Sequence, residues 1–184
     1  GGCGGSGDSV DTVATDNNSA IPPDPNQVDL SAAERCSILD ANYCLFPWPS
    51  DYYTRADDST PTGRRVSIAQ ASLPTNRASQ PIDPAEWNRN DGFSPNQTLM
   101  ARVPDLDLTR SGAVRITDLS AYQDADAPIL LLDEETGERQ LIWAELDASV
   151  EQDANRALLI RPARQLQKGR RYIAVLRDLR DSSG

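Results

Sequence analysis

One absence limits all the chemistry this chain can do: there is no histidine among its 184 residues. Acyl transfer to a serine or cysteine nucleophile needs a base that titrates near neutral pH, and histidine ordinarily fills that role. Ser94, in Asp91-Gly-Phe-Ser-Pro95, has no such base within the chain and no Gly-x-Ser-x-Gly elbow around it. It reads as a turn hydroxyl. With three cysteines and no imidazole, a four-ligand nitrogen and sulfur cage cannot be assembled from this chain. Carboxylates remain, in Asp57-Asp58, Asp105-x-Asp107, Asp124-x-Asp126 and Asp133-Glu134-Glu135. A carboxylate pair can cleave a glycosidic bond when a cleft raises the pKa of one partner, and no neighbouring residues mark such a pair here. Asn88-x-Asn90-Asp91-Gly92 has the alternating oxygens and glycine turn that suit calcium. It lacks the regular acidic positions and the bidentate glutamate, so it reads as a solvated turn. The expectation is no catalytic residue, no metal ligand and no cofactor. Trp48, Tyr52, Tyr53 and Trp87 carry two readings: ring faces that stack on sugars, or packing over a core.

The cysteines point to a compartment. Cys36 and Cys44 are close enough to pair, which leaves Cys3 over. A bridge between them implies an oxidising environment, and two reduced buried thiols would imply the opposite. Gly1-Gly-Cys3 matches the small-small-Cys end of a bacterial lipoprotein signal, and Gly4 to Pro25 would be its tether. No apolar run precedes it, so the alternative is a chance cysteine in a glycine-rich linker. An exposed single thiol is a liability in an exported protein unless it is modified, and lipidation of Cys3 is the expectation adopted.

The net charge of −10 excludes other partners. A surface of that sign repels phosphate backbones and anionic lipid heads, so nucleic acid is not expected. The membrane would be reached through a lipid on Cys3 instead. Composition also divides the chain. From Gly1 to about Leu30, glycine, serine, aspartate, asparagine and proline leave almost nothing to bury, which predicts a disordered leader. Residues 31–184 are expected to form one β-rich module.

Ser31-Ala-Ala-Glu34 is a capping box and predicts a short helix from Ala32 to Ile38. The aromatic run from Asn42 to Tyr53 holds prolines that forbid a central strand, so it should cover a core irregularly. Thr54 to Arg110 looks loop-rich, with a short strand after Thr62-Gly63, a helical turn around Trp87 set by Asp83-Pro-Ala-Glu86, and extended chain at Pro104–Leu108. Four strands follow, at Pro128–Asp133, Arg139–Leu146, Arg156–Arg161 and Arg171–Leu176. The first two flank Glu134-Glu-Thr-Gly137, a hairpin loop with glycine where φ is positive. Ile142, Ala144 and Leu146 should share one face, as should Tyr172, Ala174 and Leu176. Closely spaced strands with no long helical period predict an all-β, mainly antiparallel sandwich with one or two short helices. No closing element follows the last strand, so a module cut at its C-terminal end is expected.

Ile160, Pro162, Leu166, Gly169, Tyr172, Ala174, Leu176, Leu179, Asp181 and Gly184 together resemble the closing half of bacterial Ig-like domains of the S-layer type. In that pattern a leucine plugs the core below a glycine turn and a tyrosine starts the returning strand. Upstream, Leu45-Phe-Pro-Trp-Pro-Ser-Asp and Asn90-Asp-Gly-Phe-Ser-Pro95 are similar to the N-terminal module of bacterial extracellular lipases and related exported lipoproteins. The resemblance spans roughly Cys44 to Gly184. It implies an Ig-like fold and a catalytic α/β-hydrolase domain that follows the module. The chain differs in its Cys36/Cys44 pair and carries none of that family's catalytic residues. The expected function is a non-catalytic spacer of an exported lipoprotein in the cell envelope, anchored to the outer membrane, with the following domain of the same polypeptide as its partner. Two alternatives stand beside it: a module that binds envelope polysaccharide or another envelope protein, and the front fragment of a secreted lipase or esterase.

Overall fold

The structure, a computed structural model, describes residues 36–37, 44–151 and 156–183. The leader, Cys3 and the helix expected at Ala32–Ile38 lie outside the described residues, apart from Cys36 and Ser37. The described chain is all-β, with seven short antiparallel strands in three sheets. These are β1 (Thr54–Ala56), β2 (Arg64–Val66), β3 (Leu99–Arg102), β4 (Ile129–Asp133), β5 (Ile142–Leu146), β6 (Ala157–Pro162) and β7 (Tyr172–Leu176). β1 pairs with β2, β6 lies between β3 and β5, and β4 pairs with β7. Among the described residues the only helical elements are short 3-10 turns, and the turn expected around Trp87 is one of them (Trp87–Arg89).

The main core joins two sheets. Ile129 and Leu131 of β4 share one buried cluster with Ile142 and Ala144 of β5, Leu158 and Ile160 of β6, and Leu106 and Ala113 from the connecting loops. Leu146, Leu166, Tyr172 and Leu179 pack against its rim. Period-two alternation on β5 and β6 aims every second side chain inward, and each large one contributes roughly 1.5–3 kcal/mol by leaving water. A second, smaller core holds Tyr53, Val66 and Ile68, with Leu45, Trp48, Leu73 and Phe93 around them. Among the described residues the aromatic run pairs with the three-stranded sheet at Trp48, which exchanges backbone hydrogen bonds with Met100 at 2.8 and 2.6 Å. Pro47 and Pro49 on either side have no N–H to extend that pairing.

Four sequence expectations need correction. The hairpin after β4 exists only at its tip: Leu132 bridges Arg139 and the Gln140 N–H donates to Leu131, after which β4 and β5 part into different sheets. Ile129-Leu-Leu-Leu is apolar at every position, so both of its faces seek cover, which one hairpin partner cannot supply. Pro104–Leu108 is not a run of extended chain but a pair of turns around one bridge, Leu106 to Asp181, with Asp105 at a φ of 56°. β3 and β1, both inside the stretch expected to be loop-rich, are strands of three or four residues, too short for alternation to show. Finally, β7 does not show its expected alternation in burial: Ala174 and Leu176, opposite the buried Leu131 and Ile129, are exposed, and Val175 is partly covered.

Candidate functional site

The functional candidates are best followed outward from the bridge. Cys36 and Cys44 are joined by a disulfide with a Cα–Cα distance of 4.5 Å. The buried Tyr53 hydroxyl accepts from the Ser37 N–H at 3.3 Å and the Leu45 N–H at 2.8 Å, the residues that follow the two cysteines. One phenol therefore docks both ends of the bridged loop on the small core.

The four candidate aromatic residues do not form one face. Tyr53 is buried, and Trp48 packs edge-on against Phe93 at 4.9 Å, so both belong to the core reading. Tyr52 and Trp87 are exposed. Trp48 and Trp87 border a cleft of about 1240 Å³, and Tyr52 and Tyr53 do not. The cleft runs between the β1–β2 hairpin with the loop 87–97 on one side and the segment 166–174 on the other.

Its arginines make ion pairs that the sequence did not announce. Arg171 reaches Asp51 at 2.6 Å and Glu134 at 3.3 Å. Asp51 also faces Arg64 at 3.9 Å, whose Nε donates to Thr54 Oγ1 at 2.7 Å. Arg170 contacts Asp133 at 3.5 Å and Glu135 as well. Asp133 is buried, and its Oδ1 accepts from the N–H groups of Glu135 (3.0 Å) and Thr136 (3.1 Å), which closes the turn after β4. Arg171 and Asp51 are 120 residues apart, so no local pattern could have linked them.

The acidic clusters act as turn fasteners. Asp57 Oδ1 accepts from both the N–H and the hydroxyl of Ser59, and Oδ2 from Arg65 Nε at 2.6 Å. The Ser59 hydroxyl and then the Arg65 guanidinium hold its carboxyl well below the usual aspartate range. Asp147 is lowered in the same sense, first by the Ser149 N–H and then by its hydroxyl. Asp107 caps the N–H groups of Thr109 and Arg110 at 2.9 Å each. In the calcium-like stretch, the Asn88 amide is spent on both backbone groups of Ile68 (2.8 and 3.0 Å), and Asn90 donates to the Trp87 carbonyl. Ser94 Oγ accepts from the Asn96 N–H at 3.3 Å, a turn contact. Among the described residues no group of three His, Cys, Asp or Glu side chains is gathered as a metal site.

Three of the positions quoted for the Ig-like resemblance have contacts of their own. Gly169 takes a φ of 70°, Leu166 packs on the main core, and the Tyr172 hydroxyl accepts from the Gln167 N–H at 2.8 Å. No protein-family model matches the chain, and no curated protein or solved structure is significantly similar to it. The likeness to the lipase module thus rests on the residues quoted for it.

Proposed function

We propose that this chain is a non-catalytic accessory module of an exported, lipid-anchored protein of the bacterial envelope, spacing or orienting a catalytic domain of the same polypeptide. In the same reading, the sheets that share the Ile129–Ile160 core are the two halves of an Ig-like sandwich. The observation that carries it is how the ionisable groups of the cleft are used. Arg64, Arg170 and Arg171 are each tied to a carboxylate, and the chain has no histidine to move a proton near neutral pH. The Cys36–Cys44 bridge adds support for an oxidising compartment. The test is a panel of chromogenic esters and glycosides on the purified protein, repeated with Asp51→Asn and Asp91→Asn. Turnover that either substitution abolishes would overturn the reading, and background rates throughout would support it. Anchoring is tested separately by the mass of Cys3-containing peptides from cells that export the protein. Unmodified Cys3 in the membrane fraction would sink that half.

A second reading has its own observation. Trp87 is half exposed and lines the cleft together with Asn90 and Gln97, which suits a ring that stacks on a sugar with the Gln97 amide, free among the described residues, on the same cleft wall. A glycan array separates the two: retention by any neutral polysaccharide, lost in Trp87→Ala, would favour the binding module.

A further inference from the structure

β7 is an edge strand with none of the usual protections. Among the described residues it pairs only with β4, and its five residues, Tyr172-Ile-Ala-Val-Leu176, include no charge and no proline. Ile173 and Leu176 are among the few large apolar side chains left exposed. The hydrogen-bond phase says which backbone groups are open. The Arg177 N–H donates to the Pro128 carbonyl at 2.9 Å, and the Glu134 N–H donates to the Arg171 carbonyl at 3.0 Å. Antiparallel alternation therefore turns the N–H and C=O groups of Tyr172, Ala174 and Leu176 away from β4, toward the free edge. Natural edges of this kind are normally blunted by charge, proline or a bulge, because they template pairing with another chain.

Charge indicates the kind of chain. In a protein of net charge −10, residues 164–180 hold six arginine and lysine residues against one carboxylate, Asp178. Arg170 and Arg171 are already ion-paired, but Lys168, Arg177 and Arg180 have no carboxylate partner among the described residues. These cations flank β7 at both ends. A second copy fits poorly, since antiparallel β7–β7 pairing centred on Ala174 would set Arg171 opposite Arg177.

We propose that the free edge of β7 is a strand-addition site that takes an extended segment of another polypeptide, apolar at alternate positions and acidic at both ends. Main-chain hydrogen bonds to Tyr172, Ala174 and Leu176 supply the affinity, and the flanking cations select the acidic ends. This site rests on the pairing of β7 and the charges around it, not on the reading of the chain as an accessory module.

The experiment uses the full chain, isotope-labelled, with a short synthetic peptide of alternating valine and threonine between glutamate pairs. Expected are chemical-shift changes and slower amide exchange centred on Tyr172, Ala174 and Leu176. The effect should be lost with lysine in place of the glutamates, with proline at the peptide's centre, and in about 1 M salt, where screening falls to about 3 Å. Ala174→Pro should abolish binding while leaving the β4 ladder intact, because its N–H faces outward. Should that variant unfold, the proline-centred peptide applies the same block to the unaltered protein. Unchanged β7 amides at saturating peptide would overturn the proposal. So would a concentration-dependent dimer that protects the same amides in the protein alone, which would assign the edge to a second copy.

Discussion

A single hydroxyl and a few carboxylates do much of the local fastening in this protein. Tyr53 shows the logic: its ring fills the small core and its oxygen satisfies two amides beside the disulfide. Tyr53→Phe keeps the ring and orphans those donors, so a loss of about 1–3 kcal/mol in unfolding free energy by denaturant titration is expected. Faster amide exchange at Ser37 and Leu45 should accompany it. Asp57 makes a pH prediction whose sign follows from its depressed pKa. The folded protein holds this group ionised where the unfolded chain, with an aspartate pKa of ~3.9, would take up a proton. Its stabilisation is complete above that unfolded value and is lost as pH falls through it toward the folded value. The Tm gap between the native protein and Asp57→Asn should therefore be largest near neutrality and narrow in acid. A gap that widened below about pH 3 would reverse the assignment. Both roles escape sequence reading, since Asp57 looks like any solvated turn aspartate until Arg65 is placed across the hairpin.

At the scale of elements, the contrast between β6 and β7 governs how the protein should respond to backbone changes. β6 is paired on both sides, along Leu99–Arg102 and along Ile142–Leu146. Leu159→Pro must break a ladder bond whichever neighbour takes its N–H, at a cost of about 1–3 kcal/mol for the acceptor left unpaired. Ala174→Pro removes only an outward donor and should cost far less, which thermal melts of the two variants would compare directly. Equal losses would mean that the edge of β7 is misassigned. Short apolar runs made β4 and β6 legible as strands, and alternation did the same for β5 and β7. β1 and β3 were not legible: Thr54–Ala56 and Leu99–Arg102 become strands through partners supplied from elsewhere in the chain.

For the whole molecule, stability concentrates where the two sheets meet. Leu158 is fully buried in that cluster, and Leu158→Ala should cost about 2–5 kcal/mol by denaturant titration. The exposed Arg171–Asp51 pair crosses the cleft but stays wet, so Arg171→Gln should change stability by no more than about 1 kcal/mol and less at high salt. A larger loss would mean that this pair, rather than the core, holds the cleft walls together. Composition, cysteine spacing and periodicity by themselves pointed to an acidic, histidine-free, all-β chain with Cys36 and Cys44 placed to pair and four strands in its C-terminal third. Those properties are written locally, in side-chain type and in every-second-residue spacing. Only the tertiary structure decided that β4 and β5 leave their shared turn for different sheets, that Arg171 meets Asp51, and that β7 ends as an open edge. Each of these depends on which distant segment arrives beside it, and hydrogen-bond partners and opposite charges far apart in sequence leave no periodic trace along the chain.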